Sequence, residues 1–392
     1  MHRIDAEERR ARLVRRHRLA PPDRAGDALD VARSLVVLHS TDAVTVFLSI
    51  AARTTGVAPA EVERAFYDDR TLVRMHGMRR TLFAVPRELV PVVFAACTRT
   101  IAARERRRLE GMLVESGVST RPATWLARAS KAALQVLDQQ APATTSEVAT
   151  SVPMLAKRLR IGAGTRFEAT QSVAARLLPQ LAMEGKLVRA HPRGTWISGQ
   201  YHWVPTAAWL GEEIAPLEPR LAQAELLRRW LESFGPGTEA DIRWWTGWTA
   251  RETRGALAAV PRAEVELDGG TGYVLADDLE ATPPSEPAAA LLPTLDPTTM
   301  GWKERDWYLG PHAPLLFDTN GNAGPTVWWD GRVVGGWSQR RDGELVFRLL
   351  EDVGADAVRA VESEAERLRV WLGEVRFSPG FLPPFQRSLS EP

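Results

Sequence analysis

The feature that most constrains this chain is a recurring pattern. Short amphipathic helical runs are followed by two alternating segments joined by a tight, often basic turn. In residues 28–86 the run ALDVARSLVVL has helical spacing and leads through His39-Ser40-Thr41-Asp42 into a second run, AVTVFLSIAAR. Pro59, suited to a first helical turn, opens a third run, APAEVERAFY. TLVRMH and RRTLFAVP then alternate around Gly77-Met78 and carry Arg74, His76, Arg79 and Arg80. A second copy starts at Ala143-Thr144-Thr145-Ser146-Glu147, where EVATSVPMLAKRL predicts two short helices. It continues with EATQSVAARLLPQLAMEG, closed by Gly185, and with the hairpin KLVRAHPRGTWIS bearing Arg193. A third copy reads as the helices EPRLAQAELLRRWLESFG, TEADIRWWTG and TARETRGALAAV, with AEVELDGGTGYVLA turning at Asp268-Gly269-Gly270. The copies share a pattern rather than visible identity.

Three helices followed by a hairpin is the order of a winged helix. Pro283, Pro284 and Pro287 mark a linker, beyond which residues 289–348 alternate short apolar strands with Asn320-Gly321, Asp330-Gly331 and Asp342-Gly343 turns. A final helix, DAVRAVESEAERLRVWL, follows. The expected fold class is mainly α with β wings (α+β): tandem winged helix-turn-helix units plus a C-terminal β-rich, barrel-like unit. The expected units are residues 1–118, 119–212, 213–282 and 289–392, in keeping with the about two to four cores that a chain of this length needs.

No apolar run approaches the roughly 20 residues of a membrane span, and the N-terminal MHRIDAEERRARLVRRHRL is too charged for a signal peptide. The single cysteine, Cys97, excludes disulfides, iron–sulfur clusters and a Cys-rich zinc site. A soluble, cytoplasmic and nucleoid-associated protein is expected, with a monomeric state. The net charge of +1 does not announce nucleic acid, but the positive charge is mostly arginine and clustered. The clusters are Arg9, Arg10, Arg12, Arg15, Arg16 and Arg18; Arg99, Arg104, Arg106, Arg107 and Arg108; and Arg158, Arg160 and Arg166. Arginine grips phosphate bidentately, although such runs are also ordinary solvated helix faces.

Tandem winged helices point to double-stranded DNA. The major groove, about 12 Å wide, admits one helix, and a hairpin can lie along the backbone beside it. Several copies without a recognisable effector domain suggest a clamp around the duplex.

Five segments carry a resemblance: LDVARSLVVLHSTDAVTVFLSIAAR, VRMHGMRRTLFAV, EGKLVRAHPRGTW, ALLPTLDPTTMGWKER and GNAGPTVWWDGRVVGGW. In this order they resemble the AlkZ/YcaQ-type winged-helix DNA glycosylases, from about residue 27 to residue 340. The resemblance implies monofunctional hydrolysis of the N-glycosidic bond of N7- or N3-alkylated purines in duplex DNA, bulky adducts included, with groove-side access in place of full base flipping. Where family members carry Gln-x-Gln or Gln-x-Asp, this chain has His39-Ser40-Thr41, with the nearest carboxylate at Asp42.

An alkylated purine is a cation whose glycosidic bond is already weakened. Excision needs a placed water and stabilisation of an oxocarbenium-like state more than a strong acid. His39 could accept the water's proton, Asp42 could face the developing cation, and Thr41 could orient the water. Equally, Thr41 or Asp42 could simply cap the helix that follows, with His39 a hydrogen-bonded junction residue. Arg74, His76, Arg79, Arg80 and Arg193 are the candidate DNA contacts.

Trp244-Trp245-Thr246-Gly247-Trp248, Trp328-Trp329 and Trp337 could stack on an adduct, though tryptophan at such spacing is more often core. Asp296 could orient an arginine that faces DNA, or cap a turn before Pro297. Seven scattered histidines show no metal-ligand spacing, and Gly162-Ala163-Gly164 lacks the residues of a phosphate loop. Neither a metal nor a nucleotide cofactor is implied. The alternative to an enzyme is a non-catalytic winged-helix DNA-binding protein or regulator.

Overall fold

Local chemistry sets the element boundaries. Asp27 accepts the Asp30 amide at 2.8 Å and starts the helix Ala28–Ser34, while Asp42 does the same for Ala43–Ala51 through the Val44 amide at 3.3 Å. The computed structural model describes residues 2–162, 164, 168–378, 380 and 383–390. Arg166 of the third arginine cluster and Ala163 of the glycine run lie outside the described residues. It is a mixed α/β fold of many helices with small, open sheets.

In the first region, Leu38–His39 is a short strand between Ala28–Ser34 and Ala43–Ala51. The helix Pro59–Tyr67 and the hairpin Leu72–His76/Leu82–Pro86 follow. Leu38–His39 pairs antiparallel with Leu82–Pro86, placing His39 opposite Phe83. Every residue of Ala43–Ala51 is buried, so its two hydroxyls need internal partners. Thr45 donates to the Thr294 carbonyl at 2.9 Å and Ser49 to Asp296 at 2.7 Å. Residues 87–115 form a nearly continuous helical rod with one π turn, Phe94–Thr98. That turn leaves the Ala96 carbonyl to the Trp248 indole N–H at 3.0 Å and lets Thr98 donate to the His76 carbonyl at 2.7 Å.

The second region comprises helices Pro122–Gln140, Thr145–Ser151 and Ala174–Met183 and the hairpin Leu187–Pro192/Tyr201–Pro205. It has its own core, from Leu126 and Leu137 to Leu177 and Trp203, which also takes in Leu109 and Leu113 of the preceding rod. After Thr145–Ser151 the chain makes only one short 3-10 turn, Pro153–Ala156. It then forms an extra hairpin, Arg158–Ile161/Ala169–Ser172.

The third region holds Pro219–Phe234, Glu239–Thr246, Ala250–Ala259 and the hairpin Arg262–Leu267/Gly270–Leu275. The N-terminal strand His2–Arg3 joins this hairpin in parallel. The helix Ala6–Arg16 behind it is tied to the same region, because Arg12 and Arg16 both bridge to Asp278, at 3.0 and 2.7 Å. Arg9 and Arg12 are buried. The first arginine cluster is therefore largely consumed inside the protein.

In the C-terminal region four strands, Ala289–Leu292, Thr326–Trp329, Arg332–Gln339 and Leu345–Leu349, pair antiparallel in chain order. The barrel-like unit expected from the sequence is thus an open sheet. Helix Gly354–Leu372 packs on the first strand and Pro384–Ser390 on the third, so apolar faces are covered without closure. Between Leu292 and Thr326 the chain forms turns and short helices rather than strands.

Candidate functional site

The expected site residues converge where Leu38–His39 hands over to Ala43–Ala51. His39 is half-buried, with its ring edge-on to Phe83 at 5.6 Å; Thr41 is exposed and Asp42 half-buried. The Thr41 amide approaches His39 Nδ1 at 3.5 Å, a long contact that favours the proton on Nε2. Enclosure pushes the imidazole down to about 3, and the Arg79 charge adds to this against a weaker opposing pull from Asp296. His39 is therefore an uncharged polar ring, not the near-neutral base pictured from sequence; its surroundings withhold the solvation that an imidazolium needs.

Asp42 uses one oxygen to cap the helix and the other to accept the Gly380 amide at 2.9 Å. Arg79 and Arg80 both sit at positive φ, 53° and 65°, a conformation non-glycine residues adopt rarely and at a cost. It carries the Arg79 guanidinium over the Trp244 ring at 4.2 Å. Arg305 lies over the same ring at 5.0 Å and over Phe317 at 4.7 Å. The result is a ladder of two cations and two aromatic rings, and the charge of its Arg79 member is felt at His39. Sequence reasoning missed Arg305 and Phe317 altogether and grouped Trp244 with tryptophans that are core. Trp245, Trp248, Trp328 and Trp337 are indeed buried.

Arg74 faces inward, unlike the phosphate-gripping wing residue expected. It is 3% exposed, donates to Ser40 Oγ at 3.2 Å and to the Tyr67 hydroxyl, and stacks over Phe66 at 4.0 Å. Four of the five residues of Leu72–His76, on both strand faces, are buried, and there Arg74 braces the residue between His39 and Thr41. His76 and Arg80 line a neighbouring cleft of about 270 Å³ with Glu105, Arg108, Arg176 and Gln180. Burial and the nearby charges of Arg189 and Arg80 push the His76 imidazole down to about 3. Arg193 is exposed on the second region's hairpin and lines a separate cleft.

Behind the junction, Asp296 accepts Arg53 at 2.9 and 2.6 Å, Ser49 at 2.7 Å and the Thr298 amide at 2.9 Å. Neither side chain of the ion pair is exposed. The turn-capping alternative for Asp296 holds, but its arginine points into the core. Thr298 accepts from Arg53 at 2.7 Å and donates to His17 Nδ1 at 2.8 Å, while His17 Nε2 donates to the Ser233 carbonyl at 3.1 Å. Full burial and the Arg53 charge hold His17 well below its ordinary pKa. This network locks the Ala43–Ala51 helix, and with it the junction, to the first, third and C-terminal regions.

Among the described residues no group of His, Cys, Asp and Glu is placed to hold a metal, and no helix is long and apolar enough to cross a membrane. The family model for DNA glycosylase AlkZ-like proteins matches residues 32–371, nearly the whole span from the first region to the last long helix. No curated protein matches the sequence. Among solved structures, the chain is similar to the Streptomyces sahachiroi DNA glycosylase AlkZ at 23% identity, with a TM-score of 0.73 over 94% of this chain and 97% of that one. The protein is a DNA glycosylase, an enzyme whose substrate is DNA. It belongs to the AlkZ-like DNA glycosylase family.

Proposed function

We propose that the enzyme hydrolyses the N-glycosidic bond of N7- or N3-alkylated purines in duplex DNA, bulky adducts included, and leaves an abasic site without cutting the strand. The carrying observation is the placement of His39, half-buried and uncharged, beside an exposed hydroxyl, Thr41, and a carboxylate, Asp42. A cationic purine is repelled by an imidazolium and tolerated by a neutral ring. Its departure needs little acid, so a water held by hydrogen bonds from His39 and Thr41 is sufficient as the nucleophile. Asp42 supplies negative charge toward the developing sugar cation while its cap and the Gly380 amide fix its position. Arg79 and Arg305 face the phosphates that flank the damaged sugar.

In this reading three winged helix-turn-helix units surround the duplex. Support comes from the element order around 28–86, repeated in outline in the second and third regions. The test is to incubate the protein with a panel of duplexes bearing N7- or N3-alkyl purines. Released base and alkali-labile abasic sites, without direct strand breaks, are expected. Excision of neutral damaged bases in preference to cationic ones refutes the substrate reading.

A further inference from the structure

The hairpin Leu187–Pro192/Tyr201–Pro205 contains a cation that no carboxylate among the described residues pairs with. The Arg189 side chain makes no hydrogen bond or ion pair with any described residue; its guanidinium lies 5.4 Å from the centre of the Trp203 ring and 5.8 Å from that of Tyr201. Burial is the main cause that brings the guanidinium down to about 10; the Tyr201 hydroxyl opposes that shift and the Arg74 charge adds to it. The Tyr201 hydroxyl is buried without a partner. Both residues line a cleft of about 300 Å³ that Arg193, Gln200 and Thr144 complete. Glu147, an exposed acid that feels the Arg193 charge, accepts Thr144's amide at 2.7 Å and hydroxyl at 2.8 Å and makes no ion pair with Arg189. The cleft beside His76 differs, since two of its three arginines have a carboxylate partner: Glu105 reaches Arg80 at 2.6 Å and Arg108 at 3.8 Å.

Arg189 is half-buried with its charge unpaired, an arrangement that costs solvation and that a bound anion would complete. Its planar fork matches two oxygens of a phosphate, and a buried phenol supplies a further donor. We propose that Arg189 and Tyr201, with Arg193 at the rim, form a seat for one backbone phosphodiester of the bound duplex. The proposal rests on the DNA-repair reading and deepens it. The seat adjoins the excision junction: Arg74 stacks over Tyr201 at 4.8 Å while bonding Ser40, and Tyr67 stacks on His191 at 4.4 Å. Phosphate capture in the second hairpin thereby sets the register of the lesion over His39.

The test measures binding of an undamaged duplex over a range of NaCl concentrations, and protein stability with and without inorganic phosphate. Arg189→Met keeps the apolar stem and removes the charge. It should reduce the slope of log affinity against log salt by about one. The wild type then loses about 3.5-fold more affinity than the variant between 50 and 200 mM salt, by the same relation. Arg189→Lys should keep the slope and bind more weakly, and Tyr201→Phe should weaken binding at an unchanged slope. Without ligand, Arg189→Met should be no less stable than the wild type, whereas a packing arginine would leave it less stable. An unchanged slope overturns the proposal, whether phosphate stabilises only the wild type, which indicates a free-phosphate site, or Arg189→Met melts early, which indicates a structural role. Wild-type protein that shows the slope effect but releases no alkylpurine supports the seat and refutes the substrate reading alone.

Discussion

Replacing Asp296 by alanine should cost far more than an ordinary core truncation. The carboxylate accepts four hydrogen bonds, from Arg53 at 2.9 and 2.6 Å, Ser49 at 2.7 Å and the Thr298 amide at 2.9 Å. With both partners of the ion pair unexposed, its loss strands a buried guanidinium. Breaking such a pair from one side costs about 3–5 kcal/mol, a large part of the about 5–15 kcal/mol by which folded proteins typically exceed their unfolded chains. Removing both charges should recover most of this, because the pair repays its own desolvation only in part. Urea unfolding of Asp296→Ala, Arg53→Met and the double variant makes the cycle. A single-variant loss below about 1 kcal/mol, or strictly additive losses, would refute the reasoning. Thr45 and Ser49 tie the Ala43–Ala51 helix to the same 294–298 segment, so base release by the folded variant should also slow.

Two further outcomes follow from the imidazoles. His17, His39 and His76 all have folded pKa values below the ordinary 6.5. The unfolded chain therefore binds protons that the folded one refuses, so stability is complete above about pH 6.5 and lost as pH falls below it. Fully buried His17 alone contributes a slope of about 1.4 kcal/mol per pH unit. Urea midpoints should drop between pH 7 and 5, above the range where most carboxylates titrate, and His17→Asn should flatten that limb; equal midpoints across the window contradict the burial argument. Arg79→Ala removes the second cause of the His39 depression, so an NMR titration should show its pKa raised but still below 6.5, because enclosure is the larger cause. An unchanged value places Arg79 elsewhere.

The parts visible in the sequence were those with local causes. Thr144 with Glu147, Thr238 with Asp241 and Thr249 with Glu252 are capping boxes that start helices where the pattern places them. Asp330 and Gly331, with φ of 47° and 71°, turn the hairpin that their identities announce. What stayed hidden was decided by distant partners. His2–Arg3 pairs with Val265 and Glu266, and Arg53 meets Asp296 across 243 positions. The strand Arg158–Ile161 overlaps the end of the helical run EVATSVPMLAKRL because a short Arg/Leu alternation fits either period. Arg74 misled for a related reason. Arginine is read as surface by default, and only the Phe66, Tyr67 and Ser40 environment makes it internal.

The decisive measurement is single-turnover release of N7-methylguanine from duplex DNA by wild-type protein, His39→Ala and Asp42→Ala, each first shown to be folded and to bind undamaged duplex normally. On the proposed reading, in which His39 holds the water, release should slow by about 100-fold in His39→Ala and substantially in Asp42→Ala, with little change in DNA affinity. Release at the wild-type rate by both variants would mean that the bond is broken somewhere other than the 39–42 junction.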